Sequence, residues 1–94
     1  ELQDFQKASS WYRSAAEQGV AEAQYNLGLM YASGQGVPND YVQAYKWIGL
    51  AAANGNDAPS KMLANVAEKM TPEQIAEAQR LVQEWKPGGS EGGN

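Results

Sequence analysis

An internal repeat constrains this chain more than any other feature of its sequence. Residues 4–19 align with residues 40–55 at an offset of 36 positions, and six of the sixteen aligned positions are identical. One identity pairs Trp11 with Trp47, and the last pairs two glycines. Repeats of about 20–50 residues are typical of solenoids, in which each unit buries its apolar face against the next. We therefore expect a stack of similar units.

Local signals predict that every unit is helical. Each aligned segment begins with an aspartate, Asp4 or Asp40, that can cap a first turn, and it ends in a glycine suited to the left-handed C′ position. Between the two segments, Ala23, Leu27 and Tyr31 follow one another at four-residue spacing, which predicts another helix. The five predicted helices cover residues 4–17, 21–32, 40–53, 58–69 and 72–85, and no strand is predicted.

The connections between these helices contain residues that favour turns and helix caps. Gly34 and Gly36 can both adopt positive φ ahead of the third helix. A phosphate loop is disfavoured there, because the third glycine, the following Lys-Ser/Thr and the preceding strand are missing. Thr71, Pro72 and Gln74 predict the N-cap, N1 and N3 positions of the last helix, the pattern of a capping box.

These residues resemble the Sel-one-like repeat, a relative of the tetratricopeptide repeats. The residues that carry the resemblance are the run 23–31, the loop 34–37, Asp40, Ala44, Trp47, Ala51, Ala52 and Gly55. The resemblance implies an all-α solenoid of about two and a half α-hairpins, stacked into a right-handed superhelix. It also implies an adaptor that binds another protein.

The resemblance divides the chain into units. It implies a solenoid over residues 1–86, made of the second helix of a partial repeat at 4–19, a complete repeat at 21–55 and a degenerate C-terminal capping hairpin at 58–85. Because the first unit lacks its first helix, we expect the gene product to extend further at its N-terminus. Residues 87–94, which are rich in glycine, are expected to form a flexible tail.

The composition argues against catalysis. The chain has no histidine and no cysteine, which removes imidazole bases, thiolate nucleophiles and the two commonest ligands of transition metals. Glu73, Glu77 and Glu84 line one side of the last helix, but Arg80 lies between the second and third of them. That pattern is typical of a solvated face with weak ion pairs. We predict no catalytic residue, no metal ion and no cofactor, and a protein that is not an enzyme.

The charge balance restricts the partners. With 7 lysines and arginines against 11 aspartates and glutamates, the chain lacks the basic stripe that neutralises phosphates, so a nucleic-acid partner is not expected. No apolar run approaches the roughly 18 residues of a membrane span. The absence of cysteine is compatible with a cytoplasmic and with an exported bacterial protein. The oligomeric state is left open.

We expect one glycine and two tryptophans to serve in helix packing. A glycine inside a helix costs roughly 0.5–1 kcal/mol relative to alanine, so Gly28 should gain a compensating contact. We expect it to lie against the partner helix of its hairpin, with Trp47 as its neighbour. Trp11 and Trp47 occupy equivalent positions in the repeat, and both are expected to be buried between hairpins.

The other face of the helix predicted over 21–32 supplies candidate binding residues. The helical period sends this face away from Ala23 and Leu27, so we expect that the core of the hairpin does not bury it. The 36-residue offset adds corresponding positions in the fourth helix, and first helices line the concave face of such solenoids. The predicted partner-binding residues are Glu22, Tyr25, Asn26, Leu29, Lys61, Met62 and Asn65. In the alternative interpretation, they pack against the adjacent repeat.

The predicted function is therefore presentation of a concave helical groove to a partner protein or peptide. An alternative is a toxin-immunity protein, or one that binds a glycan or peptidoglycan fragment in the same groove by stacking tyrosine and tryptophan on sugar rings.

Overall fold

The computed structural model describes residues 2–55 and 59–87, and within those ranges it contains five helices and no strand. The helices are α1 (Leu2–Glu17), α2 (Ala21–Ser33), α3 (Tyr41–Ala53), α4 (Pro59–Ala67) and α5 (Pro72–Glu84). The prediction of an all-α fold is confirmed, and the helix ends differ from the predicted ones by at most two residues. The predicted tail lies outside the described residues except for Pro87.

Helix capping follows the predictions at two of three positions. The Asp40 side chain accepts a hydrogen bond from the Gln43 N–H at 3.1 Å, which caps α3. Thr71 Oγ1 accepts from the Gln74 N–H at 3.1 Å, and Gln74 Oε1 accepts from the Thr71 N–H at 2.9 Å, which completes the capping box of α5. Asp4, by contrast, lies inside α1 and not at its N-cap, because that helix begins at Leu2.

The loop between α2 and α3 is closed by its own polar groups. Gly34 has φ 76°, a left-handed conformation, and its N–H donates to the carbonyl oxygen of Met30 at 2.7 Å. The side-chain amide of Asn39 donates to the carbonyl oxygens of Tyr31 at 3.0 Å and Ala32 at 2.8 Å. These bonds satisfy carbonyls at the end of α2 that have no partner within the helix. The predicted turn at 34–36 is confirmed.

Helices α2 and α3 pack closely at Gly28. A β-carbon added to Gly28 would lie 2.5 Å from Ile48 Cγ1 and 3.1 Å from the carbonyl oxygen of Ala44. The packing role predicted for Gly28 is therefore confirmed. The predicted neighbour, Trp47, is wrong by one position along α3, because the two helices cross at Ala44 and Ile48.

Two clusters of buried residues form the core. The first cluster consists of Ala16, Ala23, Leu27, Trp47 and Leu50, and it joins α1, α2 and α3. The second cluster consists of Ala44, Ile48 and Val66, and it joins α3 to α4. Each cluster is thus shared by helices that follow one another along the chain, as expected of a stack of repeated units.

The two equivalent tryptophans have different environments. Trp47 is 4% exposed within the first cluster and meets Trp85 edge to face, with ring centroids 6.3 Å apart. Trp11 is 67% exposed, and it makes an edge contact with Tyr12 at a centroid distance of 5.5 Å. The prediction that Trp11 is buried is wrong. Trp47 packs with residues of α1 and α2 in the first cluster and contacts Trp85 at the end of α5, whereas Trp11 belongs to neither cluster.

Candidate functional site

The candidate binding residues lie on α2 and α4. Asn26, Leu29 and Met62 are brought together, because all three line a cleft of about 540 Å³. The other lining residues are Ala8, Tyr12, Met30, Ala32, Ser33 and Gln35. Glu22, Tyr25, Lys61 and Asn65 do not line this cleft.

The apolar members of the candidate set contribute to the core as well as to the surface. Tyr25, Leu29 and Met62 are half-buried, because they pack against the second cluster. The expectation that the core leaves this face uncovered is therefore wrong for these three side chains. Their packing agrees with the alternative interpretation, in which such residues pack between neighbouring units, although each keeps part of its surface accessible.

The polar members lie on the same two helices as these half-buried side chains. Glu22 and Lys61 are exposed and carry opposite charges. The Asn26 amide donates to the carbonyl oxygen of Glu22 at 3.0 Å, and the Asn65 amide lies 3.9 Å from the sulfur of Met62. An apolar centre with a polar rim is the usual composition of a protein interface.

The cleft also contains residues that the sequence prediction missed. Ala8 and Tyr12 belong to α1, which was treated as a packing helix. A signal for them was available, because the 36-residue offset places Ala8 and Tyr12 at the positions of Ala44 and Ile48. Those two α3 residues are fully covered by their neighbours, whereas Ala8 and Tyr12 are only partly buried.

A second cleft, of about 460 Å³, has a polar character and was not predicted. Its lining residues are Arg13, Glu17, Tyr31, Pro38, Asn39, Asp40, Gln43, Lys46 and Trp47. Arg13 Nη2 donates to the Tyr31 hydroxyl at 3.0 Å, and Lys46 Nζ lies 4.2 Å from the centroid of a Trp47 ring. The second distance is that of a cation–π contact. Charges of both signs line this cleft, so its lining does not favour a ligand of either charge.

Two of the three predicted carboxylates of α5, Glu77 and Glu84, form solvated ion pairs with Arg80. Arg80 contacts Glu77 at 2.7 Å and Glu84 at 3.0 Å, and all three side chains are about half exposed. Hydrogen bonds to both carboxylates raise the pKa of Arg80 above its ordinary value, and the bond to Glu77 has the larger effect. Within residues 2–55 and 59–87, no group of three or more acidic side chains could hold a metal ion.

In the part of the chain that the structure covers, no helix combines the length and the apolar character that crossing a bilayer requires.

Stacked helical hairpins with a core shared between neighbours define an α-solenoid of the tetratricopeptide-like class. The model of the Sel1 repeat matches residues 2–20 and 21–56, which together make up more than half of the chain. The chain therefore belongs to the Sel1 repeat family. Sel1 repeats are generally protein-interaction modules, and their fold is a non-catalytic one.

A solved structure supports the same assignment. The crystal structure of c5321, a protective antigen present in uropathogenic Escherichia coli strains and displaying an SLR fold, superposes with a TM-score of 0.82. The two sequences are 38% identical, and the match covers 86% of this chain and 18% of the antigen.

Similar sequences occur in bacterial and fungal proteins. An uncharacterized protein of Neisseria meningitidis serogroup B is 48% identical over 55% of this chain and 11% of its own length. An exopolysaccharide production negative regulator of Rhizobium meliloti is 38% identical over 60% of this chain and 21% of its own length. A chitin synthase regulator of Malassezia restricta is 37% identical over 61% of this chain and 4% of its own length. The chain thus spans about a fifth or less of these relatives.

Proposed function

We propose that this chain binds a partner protein or peptide through the surface that α2 and α4 share, and that it is not an enzyme. The observation that carries the proposal is the cleft lined by Asn26, Leu29 and Met62. Glu22 and Lys61 are exposed charged residues of the same two helices. Half-buried apolar side chains are suited to anchoring a partner, and methionine adapts to irregular partner surfaces. The rim charges would then select the register and orientation of the partner.

The mechanism we propose is rigid presentation. The candidate residues lie on two helices that are held by the second cluster, so the surface is formed before the partner arrives. A preformed surface loses less conformational entropy on association than a loop would. In this proposal the first helices form the concave face, and the hairpin at 58–85 ends the stack as a degenerate capping unit. The relatives that are named regulators are compatible with such a role.

The test uses peptides selected from a displayed random library on the immobilised wild-type chain. Asn26→Arg introduces a large charged side chain into a cleft that has no charged lining residue. We expect this substitution to weaken the selected peptides at least about tenfold in a titration by fluorescence anisotropy. The control is Gln83→Arg, which makes the same change at an exposed position of α5 and should leave affinity within about twofold. Equal affinities for both variants would contradict the proposal.

A glycan is a second candidate ligand, supported by one observation. The exposed indole of Trp11 lies beside Tyr12, whose side chain lines the cleft, and aromatic faces of this kind stack on sugar rings. Calorimetric titration with soluble peptidoglycan fragments tests this candidate. Saturable heat that Trp11→Ala abolishes would support glycan binding, and the absence of heat would exclude it in favour of a protein partner.

A further inference from the structure

The turn after α3 contains the one asparagine of this chain that is followed by a glycine. Asn54 is the C-cap of α3, and Gly55 follows it with φ 96°. In such a pair the backbone nitrogen of the glycine can attack the side-chain carbonyl carbon of the asparagine, because the glycine has no side chain to hinder the approach. The chemistry available at this turn is therefore deamidation.

The reaction consumes water and releases ammonia. The Gly55 nitrogen loses its proton and forms a bond to Asn54 Cγ, and the bond between Cγ and Nδ2 breaks as ammonia leaves. Water then adds to one carbonyl carbon of the resulting five-membered succinimide and opens the ring, which gives aspartate or isoaspartate. Because Asn54 is exposed, water reaches it in the folded chain.

The folded C-cap holds the two reacting groups apart. Ring closure requires the Gly55 nitrogen to be nearly eclipsed with Asn54 Cβ about the Cα–C bond. With ψ 17° at Asn54, that nitrogen is instead nearly eclipsed with the Asn54 backbone nitrogen. The Gly55 N–H also donates to the Ala52 carbonyl oxygen at 3.2 Å, and the leaving amide of Asn54 donates to Gln24 Oε1 at 3.0 Å. The reaction therefore requires a local opening of the cap.

The product cannot replace the hydrogen bond that the amide makes. Gln24 has no exposed surface, and its Nε2 donates to the carbonyl oxygen of Ala16. A carboxylate at position 54 has no proton for Gln24 Oε1, and turning the Gln24 amide over would point that oxygen at the Ala16 carbonyl oxygen. One buried acceptor thus loses its donor in either orientation. The new negative charge also lies at the negative end of the α3 dipole.

The equivalent turn of the preceding unit has the same geometry without the same reactive pair. The 36-residue offset aligns Asn54 and Gly55 with Gln18 and Gly19, and Gly19 has φ 98°. Each of the two glycine N–H groups donates to the carbonyl oxygen three residues earlier. A glutamine side chain would have to close a six-membered ring, which forms more slowly. The turn itself therefore does not require asparagine.

We propose that Asn54 is a deamidation site, that the folded C-cap of α3 protects it, and that its product weakens the connection between α1 and α3. The bonds of Gln24 join Asn54 to Ala16, near the C-terminal end of α1. Molecules in which the cap opens can react, and after reaction they cannot re-form this connection. The modification therefore loosens the contact between successive units slowly and in one direction, whichever partner the chain binds.

The first test follows every asparagine by peptide mapping and mass spectrometry, in the folded chain and in the chain unfolded in guanidinium chloride. In the unfolded chain, Asn54 should convert before the other asparagines. Folding should slow its conversion at least about tenfold, because only the locally open fraction reacts. Labelling by an isoaspartyl methyltransferase identifies the isoaspartate product. Equal rates in the two states, or earlier conversion of another asparagine in the unfolded chain, would overturn the proposal.

Variants test whether the bond to Gln24 provides the protection. Gln24→Met removes the acceptor and should speed the conversion of Asn54 in the folded chain at least about threefold. Thr71→Ala destabilises α5 and leaves that acceptor in place, so it controls for a general loss of stability and should have a smaller effect. Asn54→Gln should show no conversion at position 54. Equal acceleration in Gln24→Met and Thr71→Ala would contradict the assigned protection.

The last test measures the consequence of the product. Asn54→Asp reproduces one product and should lower the Tm by at least about 4 °C. Asn65→Asp makes the same change at an exposed position of α4 and should lower it by less than about 2 °C. Wild-type chain deamidated by incubation and separated by anion exchange should show the same loss, and it replaces Asn54→Asp if that variant does not fold. An unchanged Tm of the deamidated chain would overturn the proposed weakening.

Discussion

The side chain of Gln24, which has no exposed surface, accepts a hydrogen bond from the Asn54 amide at 3.0 Å. Its own Nε2 donates to the carbonyl oxygen of Ala16 at 3.1 Å. Ala16 lies near the C-terminal end of α1, and Asn54 is the C-cap of α3. One buried amide therefore ties together the ends of two helices that occupy equivalent positions in successive repeats.

Gln24→Met should destabilise the fold although it nearly preserves side-chain volume. Methionine cannot donate to the Ala16 carbonyl and is a poor acceptor for Asn54, and the two lost hydrogen bonds together contribute about 1–3 kcal/mol. The free energy of unfolding, measured by urea denaturation, should fall by that amount. The control is Gln83→Met at an exposed position of α5, where the change should stay within about 0.5 kcal/mol. A similar loss in both variants would show that the Gln24 bonds contribute nothing specific.

Gly28→Ala and Gly49→Ala should change stability in different directions, although both replace a glycine inside a helix. Alanine gains roughly 0.5–1 kcal/mol in helix propensity at each position. At Gly28 the new β-carbon meets Ile48 Cγ1 at 2.5 Å and a backbone oxygen at 3.1 Å, and such overpacking usually costs about 1–3 kcal/mol. At Gly49 its nearest neighbour is Val82 Cγ2 at 3.3 Å, a side chain that can shift by a few tenths of an ångström.

Thermal denaturation of the two alanine variants separates these effects. We expect a lower Tm for Gly28→Ala, and an unchanged or higher Tm for Gly49→Ala. Two shifts of the same sign and size would contradict the close contact between α2 and α3 at Gly28.

The sequence predicts the helices and the caps of this fold well, because those signals are local. Asp40, Thr71 and Gln74 each act within one helical turn of their own position. The environment of Trp11 could not be predicted in this way, since burial depends on which helix lies beside α1 and not on the α1 sequence.

The candidate site shows the same limit. Helical periodicity places Tyr25, Asn26 and Leu29 on one face of α2, but it does not show how much of that face the second cluster covers. It also does not show that Ala8 and Tyr12 of α1 line the cleft with Asn26, because their proximity depends on the tertiary packing of two helices.

The two equivalent tryptophans give a direct test of the two environments. Trp47→Ala removes a side chain that is 4% exposed, and truncating such a core residue costs about 3–5 kcal/mol. Trp11→Ala removes one that is 67% exposed, and surface changes usually stay within about 0.5 kcal/mol. Urea denaturation of both variants checks this difference. Equal losses in the free energy of unfolding would mean that Trp11 is covered in solution. If a second molecule covers it, the loss should depend on the protein concentration.

The capping box of α5 should contribute measurably to stability. Thr71→Ala removes the oxygen that accepts from the Gln74 N–H, and losing such an N-cap costs about 0.5–2 kcal/mol. Thr71→Ser keeps an acceptor at the same position and should retain most of that free energy. Chemical denaturation monitored by far-ultraviolet circular dichroism compares the two. Equal stability of Thr71→Ala and the wild type would contradict the prediction.

Truncation and charge reversal should separate the packing role of the candidate surface from its binding role. Tyr25 and Met62 are half-buried against the second cluster, so replacing both by alanine should cost about 1–3 kcal/mol in the free energy of unfolding. Glu22 and Lys61 are exposed, and reversing both charges, as Glu22→Lys with Lys61→Glu, should leave that free energy within about 0.5 kcal/mol. The charge-reversed variant can therefore be used to test binding without a change in folding.

With the library-selected peptides, the charge-reversed variant should mainly lower the association rate and its dependence on salt, because rim charges steer the encounter of two molecules. Stopped-flow association at two ionic strengths measures both quantities. The control is Lys69→Glu with Glu73→Lys, which reverses one charge of each sign at exposed positions outside α2 and α4. An unchanged association rate in the first variant, or an equal change in the control, would place the contact surface of the peptides elsewhere on the molecule.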